Sequence, residues 1–268
     1  MNDFTITFLG TGAADWEYHP TKAMRFDVSK QIRRTSSIWL NGHILIDPAP
    51  EAYFFAKHTL NLELSELTDI FLTHSHEDHF DRKALADFVS EAKSRVRFYC
   101  HESTARYLML DQELTKKLEI VLLQVMTPVV LGEYEVIPLA ANHEVIETQE
   151  TVLHYVFNYR GKGLLYGCDG GWFLAATWSY LLGRELAAVI LDTTVGESVE
   201  DFRIASHNSL PMIRILLAAM RKNRVLKRDG IALLSHFART LHDPIIETER
   251  RLQQEGLLCA YDGLTIKL

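Results

Sequence analysis

Three imidazoles and the Asp78 carboxylate fall within six residues in the stretch His74-Ser75-His76-Glu77-Asp78-His79. Neutral imidazole and carboxylate are borderline-to-hard ligands suited to zinc, manganese or iron. In an extended segment alternate residues share a face, so His74 and His76 can bind one ion together. As the chain turns, Asp78 and His79 swing toward a second. A single tetrahedral ion would strain to accept all four side chains from so short a turn, so the spacing favours two ions over one. The plain alternative is a solvated loop that happens to be rich in histidine and acid, which accounts poorly for this density of ligands.

The flanking residues say what carries the cluster. Asp69-Ile70-Phe71-Leu72-Thr73 is apolar and rich in strand formers, which predicts a buried strand ending at the first histidine. Phe80 to Val89 shows apolar residues at helical spacing. The ligands thus sit on the turn between a core strand and a helix, where a rigid frame supports a loop that carries chemistry.

His74-x-His76-x-Asp78-His79 matches the signature of the metallo-β-lactamase superfamily, and the chain resembles that family well beyond it. Ile44-Leu45-Ile46-Asp47 lies upstream, and His143, Asp169 and His236 follow in the family's order. Phe8-Leu9-Gly10-Thr11-Gly12, Arg33-Arg34-x-Ser36-Ser37 and Ser206-His207-Asn208 look like its phosphodiesterase branch. The nearest likeness is to the cyclic-phosphate phosphodiesterase of phosphonate breakdown, with ribonuclease Z more distant.

The resemblance implies a single α/β domain over residues 1–268 with the αββα four-layer sandwich. It implies a metal set of His74, His76 and His143 on one ion and Asp78, His79 and His236 on the other, with Asp169 bridging. Asp78 and His207 are the candidate catalytic residues, and Arg34 and His207 the candidate substrate-binding ones. Two divalent ions are the expected cofactors, zinc or manganese, with iron a third option. Asp47 has two readings, an aspartate that steadies a ligand histidine or a turn cap. Cys168 competes with Asp169, because thiolate binds zinc well; register with the phosphodiesterase pattern favours Asp169, which the flanking glycines would let turn inward. The cysteine-rich zinc site often found after the first turn in the phosphonate-pathway relatives has no counterpart in residues 13–35, which contain no cysteine.

Composition bounds the rest. A chain of 268 residues, 47% of them hydrophobic, can bury one large core. A formal net charge of -7 disfavours broad binding to nucleic acid. Three isolated cysteines, Cys100, Cys168 and Cys259, argue against a disulfide framework. The N-terminal stretch has no basic leader and no apolar run long enough to cross a bilayer, so a cytoplasmic protein is expected, with no membrane partner. A small phosphodiester is the expected partner, and a homodimer is left open.

Along the chain, Asn41-Gly42 between Ser37–Leu40 and Ile44–Asp47 signals a hairpin. Residues 13–35 lack periodicity and read as an active-site flap, an oligomer contact or an ordinary surface loop. Strands are expected at 96–99, 120–125, 134–140, 152–157, 163–166, 187–192, 231–235 and 264–267. Helices are expected from about Ser103, over 172–182, from His207 through Met220, and over 244–255 with Asp243 as cap and Pro244 at its first position. Asp192 reads either as a support for the ligands or as a cap. His19, His43, His58, His101, His154 and His242 read as surface or packing residues, with His242 close enough to His236 to matter.

The leading functional reading is a dinuclear metal hydrolase acting on a small cyclic or nucleotide-like phosphodiester. A hydroxide shared by ions roughly 3.5–4 Å apart would be its nucleophile. Lactone, thioester and β-lactam hydrolysis, or ribonuclease Z-like cleavage, are the alternatives on the same ligands. A non-catalytic binding protein is the alternative outside enzymes.

Overall fold

The computed structural model describes residues 4–16, 32–108, 110 and 112–268. Most of the stretch read as a flap, 17–31, lies outside the described residues. The chain forms two compact units, the first built from Met1–Leu123, Val145–Thr151 and Tyr261–Lys267, the second from Gln124–Glu144, Val152–Ala260 and Leu268.

The first unit is a seven-stranded mixed sheet in the order β14-β1-β2-β3-β4-β5-β6. Its strands are β1 (Thr5–Gly10), β2 (Ser37–Leu40), β3 (Ile44–Ile46), β4 (Asp69–Phe71), β5 (Val96–His101), β6 (Leu118–Leu123) and β14 (Thr265–Lys267). β2 and β3 pair antiparallel, Leu40 opposite Ile44, through a three-residue loop in which Asn41 and Gly42, with φ values of 46° and 80°, supply the left-handed turn. From β3 to β6 the pairing is parallel, so each connection must cross over. Helix α1 (Arg82–Glu91) makes the crossing after β4. Asp81 caps it by accepting from the Ala84 N–H, an interaction worth about 1 kcal/mol. Its apolar stripe, Leu85, Phe88 and Val89, packs with Trp39, Leu45, Ile70 and Phe98 from the sheet. A short helix α2 (Gln112–Lys117) precedes β6.

The second unit repeats the pattern in the order β13-β12-β11-β10-β9-β8-β7. Its strands are β7 (Val129–Leu131), β8 (Tyr134–Ala140), β9 (Leu153–Tyr159), β10 (Lys162–Gly167), β11 (Leu186–Asp192), β12 (Leu226–Ser235) and β13 (Leu258–Cys259). β7 to β10 pair antiparallel and β10 to β13 parallel. Helices α3 (Ala175–Leu181), α4 (Leu210–Lys222) and α5 (Ile245–Gln254) accompany them. Ile213, Leu216, Leu217 and Met220 of α4 and Leu252 of α5 share a core with Val189, Leu191 and Leu234 of the sheet.

Two helix starts differ from expectation. α4 opens at Leu210, not at His207, because Ser209 is the side chain that caps it by accepting from the Met212 N–H. Pro244 occupies the cap position of α5, and the Asp243 carboxylate pairs instead with Arg251, 2.9 Å away. Among the described residues no helix is long and apolar enough to cross a membrane.

Candidate metal centre

In the first unit Asp47 ends β3 in left-handed backbone, φ 57°, a conformation that costs a non-glycine residue roughly 1–2 kcal/mol. That turn sends its fully buried carboxylate toward the end of β4. There it accepts from the Thr73 N–H at 2.8 Å, from the Thr73 hydroxyl at 3.0 Å and from His79 Nδ1 at 2.9 Å. Burial pushes the Asp47 carboxyl up, and the bonds from His79 and Thr73 oppose it.

These bonds decide the tautomers of the histidines. Thr73 has one hydroxyl proton and gives it to Asp47, so at 2.9 Å from His74 Nδ1 it must accept, and the ring proton lies on that nitrogen. His79 likewise donates from Nδ1. Both rings therefore present Nε2 as a lone pair, the arrangement a carboxylate or hydroxyl behind a metal-binding histidine produces. Nε2 of His74 comes within 2.9 Å of His76 Nδ1, and Nε2 of His79 within 3.6 Å of the Asp78 carboxylate. Two ring nitrogens and a carboxylate–imidazole pair converging in this way are suited to cations.

The second unit reaches the same result with residues from four strand ends. His143 follows β8, Asp169 follows β10, Asp192 and Thr194 end β11, and His236 follows β12. Asp169 and His236 also take left-handed backbone, φ 58° and 59°, so strained residues cluster among the candidate ligands. Thr194 donates its hydroxyl to Asp192 at 2.8 Å and so accepts from His236 Nδ1 at 2.7 Å, again leaving Nε2 as a lone pair. His143 donates Nδ1–H to the Ser206 carbonyl at 3.3 Å. Its Nε2 lies 3.3 Å from Asp169, and that of His236 3.8 Å. Burial would raise the Asp169 carboxyl, but His143, His236 and His207 outweigh it and hold it well below the usual carboxylate range.

His207 is of another kind. Its Nδ1 faces carboxylate oxygens of both Asp169 and Asp192 at 3.1 Å. Burial disfavours the imidazolium, but the two carboxylates prevail and push its pKa up to about 11. With Nδ1 committed, Nε2–H is the outward donor. The ring is 15% exposed where His236 is 2% exposed, so it is the histidine of this group that solvent or a ligand can reach.

Several expected residues lie elsewhere. Arg34 is buried: its guanidinium donates to Asp262 at 3.1 Å and lies 3.8 Å above the Phe55 ring. Its backbone carbonyl receives the N–H groups of Thr11 and Gly12, so it stitches the β1 turn to the chain's last segment instead of presenting a free cation to a phosphate. A side chain on Gly10 would strike the Thr35 carbonyl at 1.8 Å, which is why glycine stands there. His242 donates Nε2–H to the Thr193 carbonyl at 2.8 Å and is not among the clustered residues. His154, expected as a surface or packing residue, is fully buried and its Nε2 lies 3.3 Å from the Asp169 carbonyl. Burial lowers its pKa to about 4, so it is neutral. A side chain at Gly170 would meet that ring at 2.7 Å; the glycine beside Asp169 makes room for His154, and Asp169 turns by its own left-handed backbone. Sequence gave one hint, an imidazole at the second position of an otherwise apolar strand.

Residues 43–226 match a family model described as a beta-lactamase superfamily domain. The chain belongs to that superfamily. The match takes in every residue of the centre described above except His236 and stops short of it. Superfamily members are metal-dependent hydrolases, and the His/Asp cluster of each unit fits divalent ions by its donor chemistry. A search of curated proteins finds no match. Among solved structures the chain is similar to a diphosphatase of the PhnP family, at TM-score 0.73 and 20% identity over 99% of this chain and 97% of that one. It is similar to yeast PDE1, at TM-score 0.69 and 14% identity over 100% of both chains. Human tRNase Z, short form, matches at TM-score 0.66 and 18% identity over 98% of both. The α/β fold is thus of the metallo-β-lactamase type, as the resemblance implied.

Proposed function

We propose that this superfamily member is a dinuclear metal phosphodiesterase acting on a small cyclic or nucleotide-like phosphodiester. In this reading His74, His76 and His143 hold one ion, Asp78, His79 and His236 the other, and Asp169 serves both. Bound divalent ions supply Lewis acidity, which lowers the pKa of water and neutralises charge on a phosphate.

The chain's own residues supply the rest. Asp47 with Thr73, and Asp192 with Thr194, keep the ring protons on Nδ1 and so keep Nε2 available. His207 is the observation that favours a phosphodiester: a reachable imidazolium, held charged by two carboxylates, stands beside the ligands. An alkoxide leaving from phosphorus needs a proton, and Nε2–H can give it. Were Asp169 shared with bound divalent ions, it would support the His207 imidazolium less, and a lower pKa would make His207 a better acid. Asn208 fixes the segment by donating its N–H to Asp192 at 2.9 Å and its amide to the Gly170 carbonyl at 2.9 Å. Two of the similar structures are named a diphosphatase and a tRNase, which points the same way. The −7 net charge favours a small ester over a long nucleic acid.

The test is a substrate panel on the zinc- or manganese-reconstituted chain, with metal content measured alongside. We expect two ions per chain and a higher kcat/KM on bis(p-nitrophenyl) phosphate than on p-nitrophenyl phosphate. Preference for the monoester, or turnover of lactones or nitrocefin alone, would overturn the assignment.

A further inference from the structure

The second sheet's connection from β8 to β9 makes an excursion, Val145–Thr151, that belongs to the first unit. It carries Glu150, a buried glutamate seven residues past His143 that no part of the motif accounts for. The Glu150 Oε1 atom accepts a short hydrogen bond from the hydroxyl of Ser75, and another from Thr148 at 2.8 Å. Ser75 stands between the ligands His74 and His76. The excursion is itself pinned. Gln149 N–H donates to the Val145 carbonyl at 2.7 Å, and Thr151 N–H donates to Ser103 Oγ at 3.0 Å. The other carboxylate oxygen, Oε2, is buried with no hydrogen-bond partner among the described residues. A half-satisfied buried carboxylate is costly, and packing alone would favour an apolar side chain there.

We infer that Glu150 is a positioning residue for the His74–His79 turn, acting through the hydroxyl of Ser75. Along an extended stretch, residue 75 projects to the side opposite 74 and 76. A bond that holds Ser75 from behind therefore fixes the roll of the segment, and the roll sets where both imidazoles aim. Asp47 and Thr73 fix the rings from the strand side. Glu150 fixes the backbone on which they ride.

The inference rests on metal binding at His74 and His76, and the test separates the two. Zinc affinity of the full chain is measured by competition with a chromophoric chelator, and the cobalt(II) form is read by its visible spectrum, which reports ligand geometry. Supporting residues of this kind change metal affinity by about 10–100-fold. Glu150→Ala is expected to weaken zinc by that factor and to alter the cobalt spectrum. Ser75→Ala should do the same, and the double variant should be no worse than either. Glu150→Gln keeps an acceptor for Ser75 and should stay within about 3-fold of the parent, well below that range. If Glu150→Ala does not fold, the Ser75→Ala and Glu150→Gln pair carries the comparison. Parent zinc affinity and spectrum in Glu150→Ala or Ser75→Ala, or Glu150→Gln as weak as Glu150→Ala, overturns the positioning role and leaves the metal reading intact. A parent chain that binds no zinc overturns both.

Discussion

The two sheets pair their strands in the same sequence of senses, three antiparallel ladders followed by three parallel ones. They place their ligands in opposite styles. The first gathers four candidate ligands into one turn after β4, its second parallel strand; the second has three, His143, Asp169 and His236, from the ends of β8, β10 and β12. Corresponding strands β3 and β10 both run out to an aspartate in left-handed backbone, Asp47 and Asp169, with φ of 57° and 58°. The roles have diverged. Asp47 faces away from the lone pairs and holds ring protons, whereas Asp169 faces the lone pairs of His143 and His236. In the second sheet the holding task has moved one strand over, to Asp192 at the end of β11. One backbone device thus serves as support in one unit and as candidate ligand in the other, and the neighbouring threonine tells which.

The comparison breaks most sharply at His207, which has no counterpart in the first unit. If it is the proton donor, His207→Ala should keep full metal content. Loss of general acid catalysis costs about 10²–10⁴-fold, and that loss should appear on an ester with a poor alkoxide leaving group and largely vanish on a nitrophenyl ester. Equal small losses on both would make the residue structural. Loss of metal would make it a ligand, a role its place in a cluster with Asp169, Asp192 and His236 gives it the geometry to play.

A smaller effect tests whether the two aspartate–threonine supports are equivalent. Asp47→Ala and Asp192→Ala should each weaken metal binding by about 10–100-fold, because each releases a ring proton from its fixed nitrogen. Only Asp192→Ala should also change the pH profile of turnover, since Asp192 alone touches His207. Here the sign matters. Asp192 helps hold the His207 imidazolium above its ordinary pKa, so removing it lowers that pKa, and the alkaline limb of the profile should move to lower pH. An unchanged limb, measured as kcat/KM against pH, would separate Asp192 from the acid.

How legible all this is from residues alone follows the same division. The candidate ligands after β4 lie within six residues, so their spacing announces them. His143, Asp169 and His236 are each an ordinary residue at the end of an ordinary strand, and only the family's order picks them out. Strands and hairpins were readable wherever apolar runs met turn residues, as at Asn41-Gly42. Arg34 rests on the resemblance alone, and its pairing with Asp262, 228 residues along the chain, leaves no local pattern. His154 and Glu150 were invisible for a related reason: what makes each notable is burial against a distant loop, and neither has a local pattern.

The last contrast concerns packing, and its expected effect is the smallest. Cys100 lies within β5, inside the cluster that α1 covers, whereas Cys259 sits half-exposed on β13, the edge strand of the second sheet. Burial, with some help from Glu150, pushes the Cys100 thiol up to about 12. A thiol reacts as its thiolate, so at pH 8 Cys100 is both shielded and in the wrong protonation state. Cys168 is fully buried as well. Under native conditions one thiol per chain, Cys259, should therefore react promptly with a disulfide reagent, and all three after unfolding. The experiment counts released thiolate against time and repeats the count on Cys259→Ser. If two thiols react promptly, and one still does in that variant, the strands around Cys100 or Cys168 open more readily than their burial implies.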